Sequence, residues 1–267
     1  MARVSSRPRD GRARESARAE TDRRGRATPR AVVTATSHRH ATAAFPPVEP
    51  PAMTVYFPDV RKLGGDELAA VSRTMNPSMV LSAYRRGIFP WPVNPRIIPW
   101  VCPKERAVFS LDREPPWSRS LRKAVRRGTF TVTFDQAFDR VIEGCATARD
   151  GGTWITPVVR QTYTELHDLG WTHSVECWSD DGELAGGLYG IAFDGVFAGE
   201  SMFHRRTDAS KVAFVHLVER LRERGFRLLD AQVRTDHLVS LGCEVISRSE
   251  FLDRLEHARG EQRQLAD

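Results

Sequence analysis

The residues from 173 to 233 constrain the fold more than any other part of the chain. Two apolar runs, "LAGGLYGIAF" (184–193) and "VFAGESMF" (196–203), are separated only by Asp194 and Gly195. An Asp-Gly pair between such runs signals a β-hairpin, because both positions of the favoured two-residue turn need positive φ. The run "HSVECW" (173–178) precedes them across the turn "SDDGE", so three antiparallel strands are expected. A helix "DASKVAFVHLVERLRERG" (208–225) follows, with Asp208 as its cap, an apolar stripe through Val212, Val215, Val218 and Leu221, and Gly225 closing it. Then comes the strand "FRLLDAQV" (226–233). Strand, helix and strand in this order make a right-handed crossover with parallel strands. A meander that runs into a βαβ unit requires a mixed sheet.

Ligands of parallel strand pairs bind at the carboxyl ends of the strands. That rule draws Glu200 and Ser201 toward Asp230 and Gln232. Side chains alternate along a strand, so Leu229, Ala231 and Val233 share one face while Asp230 and Gln232 share the other. A buried carboxylate without a partner is expensive, so the polar pair is either a satisfied network or a working site.

Upstream, two helices are clearly punctuated: Asn76, Pro77 and Gly87 bracket "NPSMVLSAYRRG", and Thr156, Pro157 and Gly170 bracket "TPVVRQTYTELHDLG". Short strands are expected near Arg106–Phe109 and Thr129–Phe134. The expected organisation is α+β, with an Arg-rich unfolded tail (1–52), a smaller N-terminal α+β domain (53–147) and a C-terminal domain carrying the mixed sheet (148–267). The tail ends in "FPPVEPPA" and reads as a disordered extension, as residues ahead of a true start at Met53, or as a nucleic-acid arm.

The net charge of +6 suggests a nucleic-acid partner until it is located. The first 52 residues hold 11 Arg, no Lys and 5 acids, which leaves residues 53–267 neutral. Any RNA argument must therefore rest on local patches. One is "WSRSLRKAVRRG", where Arg119, Arg122, Lys123 and Arg126 recur at helical spacing opposite Leu121 and Val125; it is read as a phosphate-binding face. A second is the helix start "RTDASK", where Arg205, Arg206 and Lys211 flank free backbone N–H groups that suit either an anion or simple capping. Trp91, Trp100 and Trp154 sit in Pro- or Gly-flanked segments as stacking platforms or core residues.

Other chemistries find little support. "GESMF" approaches a nucleophile elbow, but position 203 is Phe, so Ser201 is not read as a nucleophile. His204, His216 and His237 share no ligand spacing. Cys102, Cys145, Cys177 and Cys243 are scattered, which points to reduced thiols in a cytoplasmic protein, with no metal and no disulfide framework. No apolar run reaches the length of a membrane span.

Taken in order, "AYRRGIFPW" (83–91), "SRSLRK" (118–123), "TWITP" (153–157), "HSVE", "GGLYG", "GESMF", "DASK", "DAQV" and "HLVSLG" resemble the leucyl/phenylalanyl-tRNA–protein transferases. The resemblance runs from Asn76 to Leu255. It implies a GNAT-like catalytic domain and transfer of Leu, Phe or Met from charged tRNA to a protein beginning with Arg or Lys, marking it for N-end-rule degradation. It implies a monomer that needs no small cofactor and has no membrane partner. It also implies that Asp230 and Gln232 handle the proton of the attacking amine beside Glu200, and that Leu188, Phe197, Met202 and Leu229, with Ser201 at hand, line the site of the transferred side chain. Trp91 and Trp154 match aromatics of the donor site, and Arg119, Arg122, Lys123, Arg126, Arg206 and Lys211 fall on the tRNA-facing surface. The segments "LGGDEL" and "PWVCP" (99–103) depart from the family pattern. Two other functions fit parts of the chain: an acetyl-CoA-dependent N-acyltransferase, which lacks its pyrophosphate loop before the 208–225 helix, and a non-catalytic RNA-binding protein.

Overall fold

The computed structural model describes residues 43–94, 96–148, 153–260 and 262–266. The expected tail lies outside these residues up to position 42. Its last part, 43–52, is docked rather than free: Val48 donates its N–H to the Leu169 carbonyl at 2.8 Å and accepts the Trp171 indole N–H at 2.8 Å. Proline prevents this segment from joining a sheet but leaves single backbone groups able to pair.

In chain order the elements are β1 (Leu68–Ser72), α1 (Pro77–Tyr84), β2 (Phe89–Pro90), β3 (Ile98–Val101), β4 (Glu105–Phe109), α2 (Arg119–Arg127), β5 (Thr131–Phe134), α3 (Phe138–Thr147), α4 (Pro157–Asp168), β6 (Thr172–Trp178), β7 (Leu184–Phe193), β8 (Val196–His204), α5 (Ala209–Glu223), β9 (Leu228–Gln232), α6 (Asp236–Ser240), β10 (Glu244–Ser247) and α7 (Arg248–Ala258). A small sheet has the order β1-β3-β2, and a seven-stranded sheet the order β10-β4-β9-β8-β7-β6-β5. Every pair in the large sheet is antiparallel except β8–β9. The α+β class, the meander and the βαβ unit are thus as the sequence predicts.

Local chemistry explains the boundaries. Asn76, Thr156 and Ser118 each accept a backbone N–H of the first turn of α1, α4 and α2 through their side chains. Asp208 behaves differently: it stands at φ 67° without a side-chain capping bond, and its carboxylate meets Lys211 Nζ at 3.2 Å instead. The hairpin turn also differs in detail, because only Asp194 has positive φ (50°). Gly195 is required by close approach: its N–H donates to the Ala258 carbonyl at 3.0 Å, and a Cβ there would lie 2.7 Å from that oxygen.

The large sheet buries both faces. A cluster including Tyr84, Phe138, Tyr163, Tyr189, Ala198 and Leu228 lies on the side covered by α1, α3, α4 and α7. A second cluster, including Leu188, Phe197, Phe214, Leu217, Leu221 and Leu229, lies under α5 and α2. Each fully buried side chain of this kind contributes about 1.5–3 kcal/mol. The glycine-rich "GGLYG" makes room for rings, since a Cβ on Gly190 would sit 2.4 Å from the Phe197 ring.

Candidate active site

The site forms where β8 and β9 part. Their parallel register covers only Val196–Leu228, Phe197–Leu229 and Ala198–Asp230. Beyond it β8 bulges: Tyr189 faces Ser201 and Gly190 faces Gly199, which leaves Glu200 as the extra residue. A bulge breaks the alternation and re-aims a side chain. Ala198 accordingly packs in the first core cluster while Met202 packs against the second. Gly199, Glu200, Ser201, Met202 and Ala231 are all half-buried, so the strand ends reach solvent here.

Asp230 is 2% exposed and fully partnered. Its Oδ1 accepts Arg106 Nε–H at 2.8 Å and the backbone N–H of Gln232 at 2.9 Å, and its Oδ2 accepts Arg106 Nη2–H at 2.7 Å. Arg106 arrives from β4, which lies beside β9 in the sheet. Gln232 ends its strand at φ 56°, and its side-chain Nε2 is buried without a hydrogen-bond partner among the described residues. The Asp230 carboxylate therefore holds the backbone of Gln232, not its side-chain amide.

Glu200 meets tyrosines. The Tyr84 hydroxyl donates to Glu200 Oε1 and lies 3.2 Å from the Tyr163 hydroxyl. Burial pushes the Glu200 carboxyl up to about 8, opposed by the tyrosine hydroxyls. Such a group changes charge close to neutral pH and can take or give a proton there. Asp230, clamped by Arg106, is occupied as an anchor.

The other sequence-derived candidates divide. Leu188, Phe197 and Leu229 are closed into the core under α5, with Met202 half-buried beside them and 3.3 Å from His237 Nε2. Trp91 is 49% exposed beside Phe89, and Trp154 packs at the margin of the first cluster, so Trp154 and the four apolar residues belong to different clusters, on opposite faces of the large sheet. Trp100 is a core residue whose indole donates to Ser72 Oγ at 2.8 Å. On α2, Arg119, Arg122, Lys123 and Arg126 are exposed around the buried Leu121, with Glu114 3.6 Å from Arg122. Arg206 is 2.6 Å from Asp181 and Lys211 pairs with Asp208, so the start of α5 already carries its own anions. Sequence reading missed Arg106, Tyr84 and Tyr163. An arginine inside the apolar run "RAVF" was the available signal for the first. Among the described residues no cluster of His, Cys, Asp or Glu can hold a metal ion, and no helix is long and apolar enough to cross a membrane.

In this mixed sheet the parallel pair β8–β9 opens beside a clamped Asp-x-Gln and a glutamate with a raised pKa, at the strand ends where ligands of such sheets bind. The family described as leucyl/phenylalanyl-tRNA protein transferase matches residues 108–256, and the family of its N-terminal domain matches residues 73–104. A leucyl/phenylalanyl-tRNA–protein transferase of Aromatoleum aromaticum is 49% identical over 209 residues, covering 78% of this chain and 83% of that protein. The one from Chromohalobacter salexigens is 50% identical over 210 residues, covering 77% and 81%. The chain belongs to the leucyl/phenylalanyl-tRNA–protein transferase family. Among solved structures, L-PGS from Bacillus licheniformis aligns with a TM-score of 0.35 and 14% identity over 60% of this chain and 57% of its own. A GCN5-related N-acetyltransferase from Sphaerobacter thermophilus aligns with a TM-score of 0.33 and 20% identity over 66% and 56%.

Proposed function

We propose that this protein moves Leu, Phe or Met from charged tRNA to the N-terminal Arg or Lys of acceptor proteins, marking them for N-end-rule degradation, and that it works as a monomer in the cytoplasm. The observation that carries the reading is that the strands bearing Glu200, Asp230 and Gln232 are neighbours that part at these residues, in a chain of this family.

The chemistry asks little of the enzyme beyond placement. The aminoacyl ester is already activated, and a free α-amine has a pKa of about 8. Its nitrogen attacks the ester carbonyl carbon, a C–N bond forms, and the C–O bond to the terminal ribose breaks, leaving a ribose hydroxyl and a peptide bond. One proton must leave the amine. The carboxamide of Gln232 accepts a hydrogen bond from the attacking nitrogen, while its unpartnered N–H side suits the carbonyl oxygen as negative charge develops. Glu200, titrating in the same range as the amine, takes the proton in its ionised form. Leu188, Met202 and Leu229 select the donor side chain, after repacking of the layer under α5. An apolar site separates neighbours by only about 1–3 kcal/mol per methylene, which suits several large apolar donors. Trp91 and Trp154 hold the terminal nucleoside by stacking, and the basic face of α2 holds the tRNA backbone. This route uses no cofactor.

The direct test is incubation with radiolabelled Leu-tRNA or Phe-tRNA and a peptide beginning with Arg, against one beginning with Ala. Label is expected on the first peptide only. Label on neither, together with acetylation of the peptide from acetyl-CoA, overturns the reading.

A further inference from the structure

Arg106 is a charge kept where hydrocarbon would serve. It is 1% exposed, and its guanidinium lies 4.6 Å from the Phe89 ring centroid and 4.2 Å from that of Phe251. Its edge is also used: Nε and Nη2 grip the two oxygens of Asp230, and Nη1 donates to the Gly87 carbonyl at 3.0 Å. A buried ion pair is seldom worth more to stability than well-packed apolar residues of the same volume. Its distinguishing feature is the further bond that Asp230 makes, to the backbone N–H of Gln232 at 2.9 Å. That bond holds a non-glycine residue at φ 56°, a conformation that persists only where its surroundings impose it.

We propose that Arg106 is a positioning residue of the transfer reaction: by gripping both oxygens of Asp230 it sets the backbone at Gln232 and so aims the carboxamide at the attacking amine. The inference rests on the reading of Gln232 given above. The fork geometry matters as well as the charge, because a lysine supplies a point charge that cannot hold two carboxylate oxygens and the Gly87 carbonyl together.

The test compares Arg106→Lys, Arg106→Met, Asp230→Asn and Arg106→Met/Asp230→Asn in the full chain, with Leu255→Ala as a control that loosens the packing of α7 without touching the guanidinium. Arg106→Lys should lower kcat roughly ten- to a hundredfold while leaving KM for charged tRNA and for the acceptor peptide within about twofold. The double variant should lose no more kcat than the more damaged of its parents, because both act through one carboxylate. Leu255→Ala should lower Tm and leave kcat within about twofold of the parent. If Arg106→Met does not fold, Arg106→Lys decides by itself. A folded Arg106→Lys with parental kcat, or one that loses KM instead, overturns the proposal. So does a Leu255→Ala whose kcat falls with its stability. A Gln232→Ala variant with full turnover would overturn the underlying site reading, whereas an inactive Gln232→Ala beside an active Arg106→Lys overturns the role of Arg106 alone.

Discussion

The Asp230 carboxylate accepts the backbone N–H of Gln232, two residues on, at 2.9 Å. This local bond closes the end of β9 in a left-handed turn and leaves the Gln232 carboxamide with an unspent donor. Backbone and side chain of Gln232 therefore have separable jobs.

That separation predicts a split between two small substitutions. Glycine adopts φ 56° without strain and alanine does not, so Gln232→Gly should be more stable than Gln232→Ala by about 1–2 kcal/mol. Both should lose turnover by roughly 100-fold or more, since neither has the carboxamide. Denaturant melts and single-turnover transfer assays check the two halves, and equal stabilities would show that the turn carries no strain.

Glu200 predicts a pH dependence of stability. Burial raises its carboxyl from 4.5 to about 8, so the folded protein keeps a proton that the unfolded chain releases at lower pH. Its contribution is full below 4.5, declines as pH rises toward 8, and levels off above that. Glu200→Gln stays neutral throughout. Thermal melts should show the parent losing stability relative to Glu200→Gln across this window, and a constant difference in Tm would refute the assignment.

For α2 the expectation concerns salt. Lys123 and Arg126 are exposed and have no acid among their described ion-pair partners. Replacing each with alanine should weaken binding of charged and uncharged tRNA alike and lower the salt slope of log K by about 1 per residue. Turnover at saturating tRNA should hold. Filter binding across a salt series would expose an unchanged slope, which this surface cannot have if it touches phosphate.

A structural prediction concerns Asp135, whose buried carboxylate accepts His173 Nδ1–H at 2.7 Å and the Ser174 N–H at 2.8 Å. Burial works to raise its pKa, but His173, His167 and the backbone bond outweigh burial and hold it below 3.8. Its stabilisation is thus present above about 4 and lost as pH falls further. Asp135→Asn should cost about 1–3 kcal/mol at neutral pH and leave kcat unchanged. Urea melts at pH 7 and pH 3 would test this, and the cost should shrink at the lower pH.

Much of the architecture was legible because it is written in short-range terms. Alternation along 173–203, the two-residue turn at Asp194 and the Pro- and Gly-marked helix ends follow from local sterics and nearby hydrogen bonds, and so the meander, the βαβ unit and the pairing of the strands that carry Glu200 and Asp230 could be expected before any coordinates. The partner of Asp230 could not. Arg106 is 124 residues away, and it reaches the carboxylate only because β4 is inserted beside β9. The bulge at Glu200 likewise exists only against β7, and the docking of 43–52 only against the Leu169–Trp171 turn. Sequence by itself determined the strands and helix of 173–233, the Pro- and Gly-marked helices and which strand ends carry the polar groups, but not the short strands β1, β2, β3 and β10 or the helices α3, α6 and α7. Tertiary structure alone decided what each buried charge is paired with and which face each side chain meets, because strand order and register are set by packing between segments far apart in the chain.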